Sequence, residues 1–286
     1  MPHPVKGVDH CFALVDDLDK SATQYRALGF TLSPRGLHSE AKGSANYTIM
    51  FPGDYLELLG LLRPTQLNAA RSKSLADHGQ GLHAIACRID TADAAAKELA
   101  ELGMRTHGLG SFERPVDLPD GGRDIAAFST LVFDDAHVPM GSVFMCQHKT
   151  PHTVWVPELL THPNTACGLA GIVIASDNPG SDAKAFARLW AQGKVVSTTQ
   201  GHIVKTGPNS APLKLMTPEG MADLYPDMDL SYAPTGVFSG LQIAVTDLQA
   251  AAKCLENADI PAIRTGRGIA VAPQYTSGVI LEFTSS

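Results

Sequence analysis

The sequence predicts an α+β protein made of four βαβββ modules that pair into two similar halves. Three observations predict it. The order of one apolar strand, one helix and further strands recurs along the chain. Aspartates that suit a helix start follow the first strand of each repeat. A polar, proline-rich segment separates the second repeat from the third. With 44% apolar and 18% charged residues, the composition is typical of a compact globular protein.

The first module shows the pattern most clearly. An apolar strand ends at Val15, four residues (16–19) supply capping side chains, and a helix runs to Leu28 and Gly29, where glycine suits the left-handed position after a helix. Further strands are predicted in three stretches, 31–33, 46–51 and 55–62.

The other modules repeat this order with decreasing clarity. The second has a strand at 82–89, a helix between 90–93 and Gly103, and strands at 128–133 and 143–147. The fourth has a strand at 241–245, a helix start at 246–248 and a closing strand at 281–283. The third has a strand at 171–175, a helix at 183–191 and a closing strand at 213–216. We therefore predict domains at 1–150 and 167–286, joined by a linker at 151–166.

Charge and composition exclude several classes of function. The net charge is −7 without a basic cluster, which argues against nucleic acid and against an anionic membrane surface as partners. No apolar run approaches the ~18 residues that span a bilayer. The polar N-terminus leads straight into a strand, so we expect no signal peptide. Five cysteines without CxxC spacing predict reduced thiols in the cytoplasm. A small-molecule substrate and a monomer or homodimer are expected.

Several strings resemble the vicinal oxygen chelate superfamily, which includes glyoxalases, bleomycin resistance proteins and extradiol dioxygenases, and in particular its glyoxalase-like branch. VDHCFALVDDLDKSATQYRALGF resembles the family's opening module. LHSEAKGSANYTIMF resembles its His…Gly-Thr-x-Asn stretch, with Ser44 in place of threonine, and YLELLG resembles its metal-carrying closing strand. RPVDLPDG and HPNTACGLAGIVIA also resemble this branch. The resemblance implies half-barrel domains whose metal ligands lie on the first and last strands of each module.

Transferred to this sequence, the resemblance implies a divalent metal ion held by His10, Glu57 and His83. Imidazole and carboxylate ligands suit Fe, Mn, Ni, Co or Zn. The fourth family position falls on Met145, and a thioether is a poor ligand for a hard divalent ion, so water or substrate would complete the shell. If that strand is shifted, Gln147 or His148 takes the place of Met145.

The position of His83 depends on strand register. Four residues separate His10 from Val15, whereas five separate His83 from Ile89. A β-bulge would absorb the extra residue. Without a bulge, Ala84 would take the ligand position.

Other residues are candidates for the substrate pocket. His38 and Tyr47 are weak candidates for a catalytic base, and Asn46, Arg114 and Met145 for substrate binding. For His38, Asn46 and Tyr47 the ordinary interpretation is a polar turn around residue 43. For Arg114 it is a surface arginine. Arg114 would bind a substrate carboxylate through a bidentate contact. Three histidines near the linker match no zinc motif and are interpreted as solvated: His148, His152 and His162.

The second half lacks a comparable ligand set. Gly171 and Gly240 stand where the resemblance would require histidines, which leaves Glu282 without metal-binding partners. We therefore expect the second half to be structural or to complete the substrate pocket. Ring-cleaving dioxygenases of the superfamily keep their iron in that half, so the resemblance to them is incomplete.

Three functions remain open. The first is a metal-dependent enzyme with lyase or isomerase chemistry on a small oxygen-bearing organic molecule. The second is an Fe(II) ring-cleaving dioxygenase. The third is a non-catalytic protein that binds a drug or metabolite, which metal-free ligand binding would favour.

Overall fold

The computed structural model describes residues 2–118 and 121–286. Pro119 and Asp120, part of the RPVDLPDG string, lie outside the described residues. The first half contains β1 (Val8–Val15), α1 (Leu18–Ala27), β2 (Gly36–Leu37), β3 (Ser44–Met50), β4 (Tyr55–Leu61), α2 (Ala69–His78), β5 (Gly81–Arg88), α3 (Ala92–Glu101), β6 (Thr106–Asp117), β7 (Arg123–Phe133) and β8 (Ser142–His148). The second half contains β9 (Ala166–Ala175), α4 (Pro179–Ala187), β10 (Lys194–Thr198), β11 (Gly201–Lys205), β12 (Leu213–Met216), α5 (Pro218–Leu224), β13 (Gly240–Val245), α6 (Leu248–Asn257), β14 (Ala262–Arg264), β15 (Gly268–Val271) and β16 (Ile280–Ser285).

Two eight-stranded sheets organise the chain. Their strand orders are β2-β3-β4-β1-β5-β8-β7-β6 and β10-β11-β12-β9-β13-β16-β15-β14. In each module the first strand pairs in parallel with the last, and the two modules of a half join through antiparallel first strands. This arrangement confirms the predicted α+β fold of four modules in two half-barrel domains.

Local signals explain where the helices begin and end. The carboxylate of Asp17 accepts the backbone N–H groups of Asp19 and Lys20 at the start of α1, and Asp247 caps α6 in the same way. At the start of α3 the cap position is Thr91, whose side chain makes no capping bond. Gly29 and Gly103 follow α1 and α3 with φ of 86° and 72°, a region that glycine enters without steric cost.

One face of each sheet packs against helices, in a core that is continuous between the halves. Phe30 and Phe283 stack there with ring centres 5.7 Å apart, and the hydroxyl of Tyr25 donates to the carbonyl of Thr276 at 3.1 Å. We call this the helix face of each sheet, and the opposite one the site face. No helix of the described chain is both long and apolar enough to cross a membrane.

The site face of the second sheet is filled by the protein itself. Met221, Tyr225 and Met228, on and after α5, form an apolar cluster with residues of that face. Glu282 is fully buried beneath them and accepts hydrogen bonds from Tyr225, Gln242 and Thr265. Its oxygens thus accept from three neutral donors.

The linker region corrects one expectation. His162 is buried: its Nδ1 accepts the N–H of Thr31 at 3.0 Å, and its Nε2 donates to the carbonyl of Met50 at 2.9 Å. His148 is also largely buried, so the prediction of solvated histidines is wrong for both. Only His152 has a mostly exposed side chain. A histidine with a partner for each nitrogen can be buried at little cost.

Candidate functional site

Two strands bring His10 and Glu57 together on the site face of the first sheet. Successive side chains of a strand alternate between faces, and β1 pairs with β4 so that His10 lies opposite Tyr55 and Phe12 opposite Glu57. His10 stacks on the ring of Tyr55 at 4.2 Å. Its Nε2 lies 3.9 Å from Oε2 of Glu57 and makes no hydrogen bond with the described residues. Nε2 of His10 and the carboxylate of Glu57 therefore face one another.

Asp9 orients His10. The pairing of β1 with β5 shifts at Asp9, and this bulge accounts for a carboxylate beside His10 rather than on the opposite face. Oδ1 of Asp9 accepts from Nδ1 of His10 at 2.7 Å and from Nε2 of His148 at 2.9 Å. Burial alone would raise the pKa of Asp9, but these two histidines hold it well below its usual value. Since an ionised carboxylate only accepts, Nδ1 of His10 carries a proton, and Nε2 is the nitrogen left to bind an ion.

Asn46 holds the second candidate ligand. Its amide nitrogen donates to Oε1 of Glu57 at 2.8 Å, which leaves Oε2 directed at His10. Burial would raise the pKa of Glu57, but His10, His38 and the bond from Asn46 lower it, so the carboxylate is ionised at neutral pH. The amide oxygen of Asn46 and Nδ1 of His148 are buried and have no partner in the described chain. Such orphaned polar atoms are uncommon and indicate room for a bound polar group.

Basic side chains surround Glu57. Lys42, Arg71 and Arg114 are each half-buried, and each interacts electrostatically with its carboxylate. His38 lies in the same group, and its Nδ1 is 2.8 Å from the hydroxyl of Ser44. Burial lowers the pKa of His38 to about 4, so its imidazole is neutral at neutral pH. The candidates Asn46, Arg114 and His38 thus lie near Glu57.

His83 does not join His10 and Glu57. A bulge is present, because β5 shifts register at His83, yet Ala84 pairs opposite Phe12 while His10 pairs opposite Ala86. Ala84 therefore holds the position related to His10 by the symmetry of the two modules. Nδ1 of His83 lies 2.8 Å from the hydroxyl of Ser74, and its Nε2 lies 2.8 Å from the carbonyl oxygen of Gly79. Both nitrogens have local partners, so the structure assigns His83 a structural contact rather than a place beside His10.

Met145 is also placed differently from the expectation. It is fully buried in the core on the helix face, so it does not line the pocket. Phe144 pairs opposite Ala86, just as Glu57 pairs opposite Phe12, and it therefore holds the fourth family position. Its ring meets His10 edge-on at 5.6 Å. The second module thus contributes an alanine and a phenylalanine where the first contributes His10 and Glu57.

Two further candidates lie on the helix side. Tyr47 alternates with Asn46 along β3 and donates its hydroxyl proton to Asp19 on α1 at 3.2 Å. It cannot act as a base beside Glu57. Gln147 accepts the backbone N–H of Ala92 at the start of α3, so it is not available as a ligand.

One group of described residues has ligand atoms close enough to share an ion: Asp9, His10 and His148, all within 4.8 Å of one another. The hydrogen bonds between them already explain this proximity. The donor set of His10 and Glu57, with their remaining atoms held by Asp9 and Asn46, fits a divalent ion better, because Nε2 and Oε2 are unbonded. Two protein ligands fit a weakly held ion with several open positions.

Sequence reasoning missed Asp9, Lys42, Arg71 and Trp155. Trp155 follows β8, and its ring meets those of His148 and Tyr55 at 4.8 and 5.8 Å, which closes one end of the site. The only signal for Asp9 was a charged residue inside an apolar strand. Lys42 and Arg71 lie in a turn and a helix whose positions no strand periodicity predicts.

The comparisons with known proteins agree with this fold. A sequence profile for a glyoxalase-like domain matches residues 8–191. A hypothetical protein from Staphylococcus aureus aligns over 98% of this chain and 99% of its own, with 13% identity and a TM-score of 0.66. An extradiol ring-cleaving dioxygenase from B. fuscum aligns over 100% and 73%, with 14% identity and a TM-score of 0.58.

A variant of 4-hydroxymandelate synthase from Streptomyces coelicolor aligns over 100% of this chain and 93% of its own, with 14% identity and a TM-score of 0.54. No curated protein matches the sequence. At these identities the structural likeness shows the fold alone.

Proposed function

The chain belongs to the glyoxalase-like domain family of the vicinal oxygen chelate superfamily, and on that premise we propose that it is a divalent-metal-dependent enzyme acting on a small oxygen-bearing organic molecule. The observation that carries the proposal is the 3.9 Å approach of His10 Nε2 to Glu57 Oε2. Asp9 and Asn46 occupy the other ligand atom of each side chain. Pre-oriented nitrogen and oxygen atoms on opposed strands are what a metal site requires.

His10 and Glu57 would hold the ion, and imidazole with carboxylate suits Fe, Mn, Ni, Co or Zn. A bound divalent ion supplies polarisation of a substrate oxygen and stabilisation of negative charge that develops on it. The remaining positions stay open to water and substrate, since Ala84 and Phe144 offer no donor. A site with open positions is typical of catalytic rather than structural metal centres.

His38 is the candidate base for lyase or isomerase chemistry. Its imidazole is neutral at neutral pH, lies near Glu57, and makes no hydrogen bond through Nε2 with the described residues. A neutral imidazole can accept a proton from a carbon next to a polarised carbonyl. The His38→Ala variant should keep its metal and lose deuterium exchange from heavy water into a 2-oxo acid probe such as pyruvate.

Metal content tests the proposal directly. Untagged protein would be dialysed to equilibrium against Fe, Mn, Ni, Co or Zn at a fixed free concentration, because desalting would strip a weakly held ion, and the bound metal would be measured by elemental mass spectrometry. We expect bound metal in the parent and its loss in His10→Ala and Glu57→Ala. The matched control is His83→Ala, which removes another buried histidine of the same sheet and should keep the metal. A parent that retains none of the five ions would refute the metal-dependent function.

The second candidate is a protein that binds a small molecule without turnover. Ala84 and Phe144 favour it, because two of the four family ligand positions are apolar. This candidate predicts that metal-free protein binds its ligand as tightly as metal-loaded protein. The metal-dependent enzyme predicts that removal of the ion weakens substrate binding.

A further inference from the structure

The basic residues near Glu57 are out of keeping with the rest of the protein. The chain has a net charge of −7, yet three half-buried cations, Lys42, Arg71 and Arg114, gather around one buried carboxylate. None of the three side chains forms an ion pair within 4.0 Å or a hydrogen bond with residues 2–118 or 121–286. Many other arginines and lysines of the chain are paired, for example Arg63 and Lys73.

The three cations come from separate elements. Lys42 lies in the turn before β3, Arg71 on α2, and Arg114 on β6, whose alternate residues face the site. The charge of each perturbs His38, so all three lie close to the same imidazole. With Glu57 ionised and His38 neutral, the group carries two excess positive charges.

Burial makes this excess charge costly. Burial and the neighbouring Arg71 lower the pKa of Lys42 to about 8, and burial lowers that of Arg71 and Arg114. Uncompensated charge removed from water is unfavourable, and an anion bound between the cations would remove the cost. The carboxylate of Glu57 compensates only one of the three charges.

Aromatic rings complete the surroundings. Nζ of Lys42 lies 2.9 Å from the ring centre of Phe112, and Cζ of Arg71 lies 5.5 Å from that of Phe12. A cavity of about 30 Å³ lies beside two of the three cations, and its lining residues are His38, Ser39, Lys42, Phe112, Glu113 and Arg114. One water needs roughly 10–15 Å³ of such space, so the cavity fits an oxyanion head group of a few atoms.

We infer that Lys42, Arg71 and Arg114 form an anion subsite that holds the carboxylate or phosphate group of an organic anion, whose apolar part contacts the phenylalanines of the site face. This inference rests on the proposed function in one respect, namely that the site face of the first sheet is where the substrate binds. It adds that the substrate of this protein is an anion. Guanidinium groups suit both oxyanions, because their N–H groups match two acceptor oxygens at once.

The test is isothermal titration of the full-length, metal-loaded protein with benzoate, phenylphosphate and the neutral analogue benzyl alcohol. We expect benzoate or phenylphosphate to bind at least tenfold more tightly than benzyl alcohol, and the tighter of the two identifies the head group. Equal affinity for the three probes, or no binding of either anion, would overturn the inference. This comparison needs no variant.

Charge-neutralising variants locate the subsite. Arg71→Gln and Arg114→Gln should each weaken anion binding roughly 10- to 100-fold, the loss expected for one charge-assisted contact. The matched control is Lys73→Gln, which removes the same charge from the exposed side of α2 and should leave anion affinity unchanged. Circular dichroism verifies folding; α2 has no buried residue among those described, so Arg71→Gln should fold. Anion affinity unaffected in both arginine variants would refute the assignment.

Metal content measured on the same samples separates the two proposals. Anion binding that depends on Arg71 and Arg114 in a protein that retains no metal would refute the metal-dependent function and leave the anion subsite intact. If the protein retains metal through His10 and Glu57 but binds benzoate and benzyl alcohol equally tightly, the anion subsite is refuted and the metal-dependent function is not.

Discussion

Asp9 should control the metal affinity of a site that it does not itself enter. In the Asp9→Asn variant the side chain keeps its size and loses its charge. In the parent protein, Oδ1 of Asp9 accepts from Nδ1 of His10 at 2.7 Å and from Nε2 of His148 at 2.9 Å. A neutral amide holds His10 less firmly, and in its flipped orientation it would donate to Nδ1 and move the imidazole proton to Nε2, the atom that faces Glu57.

The size of the effect follows from these contacts. Loss of an orienting carboxylate behind a histidine ligand costs roughly 10- to 100-fold in metal affinity, or about 1.4–2.7 kcal/mol. The two hydrogen bonds of Asp9 would also change from charge-assisted to neutral, and the lower desolvation cost of the amide offsets part of that loss. We expect the free energy of unfolding to fall by about 2 kcal/mol.

Competition with a chromophoric chelator would measure the metal affinity of parent and variant, and urea denaturation their stability. The matched control is Asp54→Asn, the same chemical change at another buried carboxylate of the first half, which accepts the backbone N–H of Leu169 at 3.0 Å. The control should keep the metal affinity of the parent. Equal metal affinity in Asp9→Asn, Asp54→Asn and the parent would refute the orienting role of Asp9.

Three further predictions concern positions with different roles. Burial raises the pKa of Asp54 to about 7, against 3.8 for the unperturbed group, so the folded state binds more protons than the unfolded state between those values. Urea denaturation at pH 4 and pH 7 should therefore show the stability of the parent falling relative to that of Asp54→Asn by at most about 4 kcal/mol, because buried histidines such as His38 titrate alike in both proteins. His83→Ala should lower the free energy of unfolding by about 1–3 kcal/mol, because it leaves the carbonyl of Gly79 without its donor, and an unchanged urea midpoint would contradict this. A β-carbon at Gly36 would collide with the amide oxygen of Asn46, so Gly36→Ala should weaken metal binding by roughly tenfold in the chelator assay, whereas an unaltered affinity would refute the contact.

The fold was predictable because its signals are local. Asp17 and Asp247 cap helices in the structure as their positions in the sequence suggested, and Gly29 and Gly103 adopt the positive φ expected after a helix. These signals recur with each module, and repetition makes each weaker copy easier to recognise.

Register was less predictable, since one extra residue moves a side chain to the other face of a sheet. The resemblance assigned the fourth family position to Met145, which follows Gly141 by four residues just as Glu57 follows Gly53. Gly141 has φ of 64°, whereas Gly53 is not among the glycines with positive φ, so the two turns differ and Phe144 faces the site instead. The bulge at Asp9 was equally hard to predict, because it arises from pairing between strands rather than from a local motif.

The cations of the site illustrate a second limit. Lys42 lies in a turn and Arg71 on a surface helix, and a charged residue in either place is ordinarily interpreted as solvent-exposed. Only the tertiary arrangement of α2, the turn before β3 and strand β6 brings them near Glu57 and Arg114. Arg114 was recognised as a possible substrate contact, but its partners were not.

An anomalous difference map would decide whether His10 and Glu57 are the metal ligands, as we propose. Crystals of the metal-loaded protein would be measured at the absorption edge of the bound ion. We predict one peak about 2.0–2.2 Å from both Nε2 of His10 and the carboxylate of Glu57. A peak among Asp9, His10 and His148, or no peak near His10, would contradict the account.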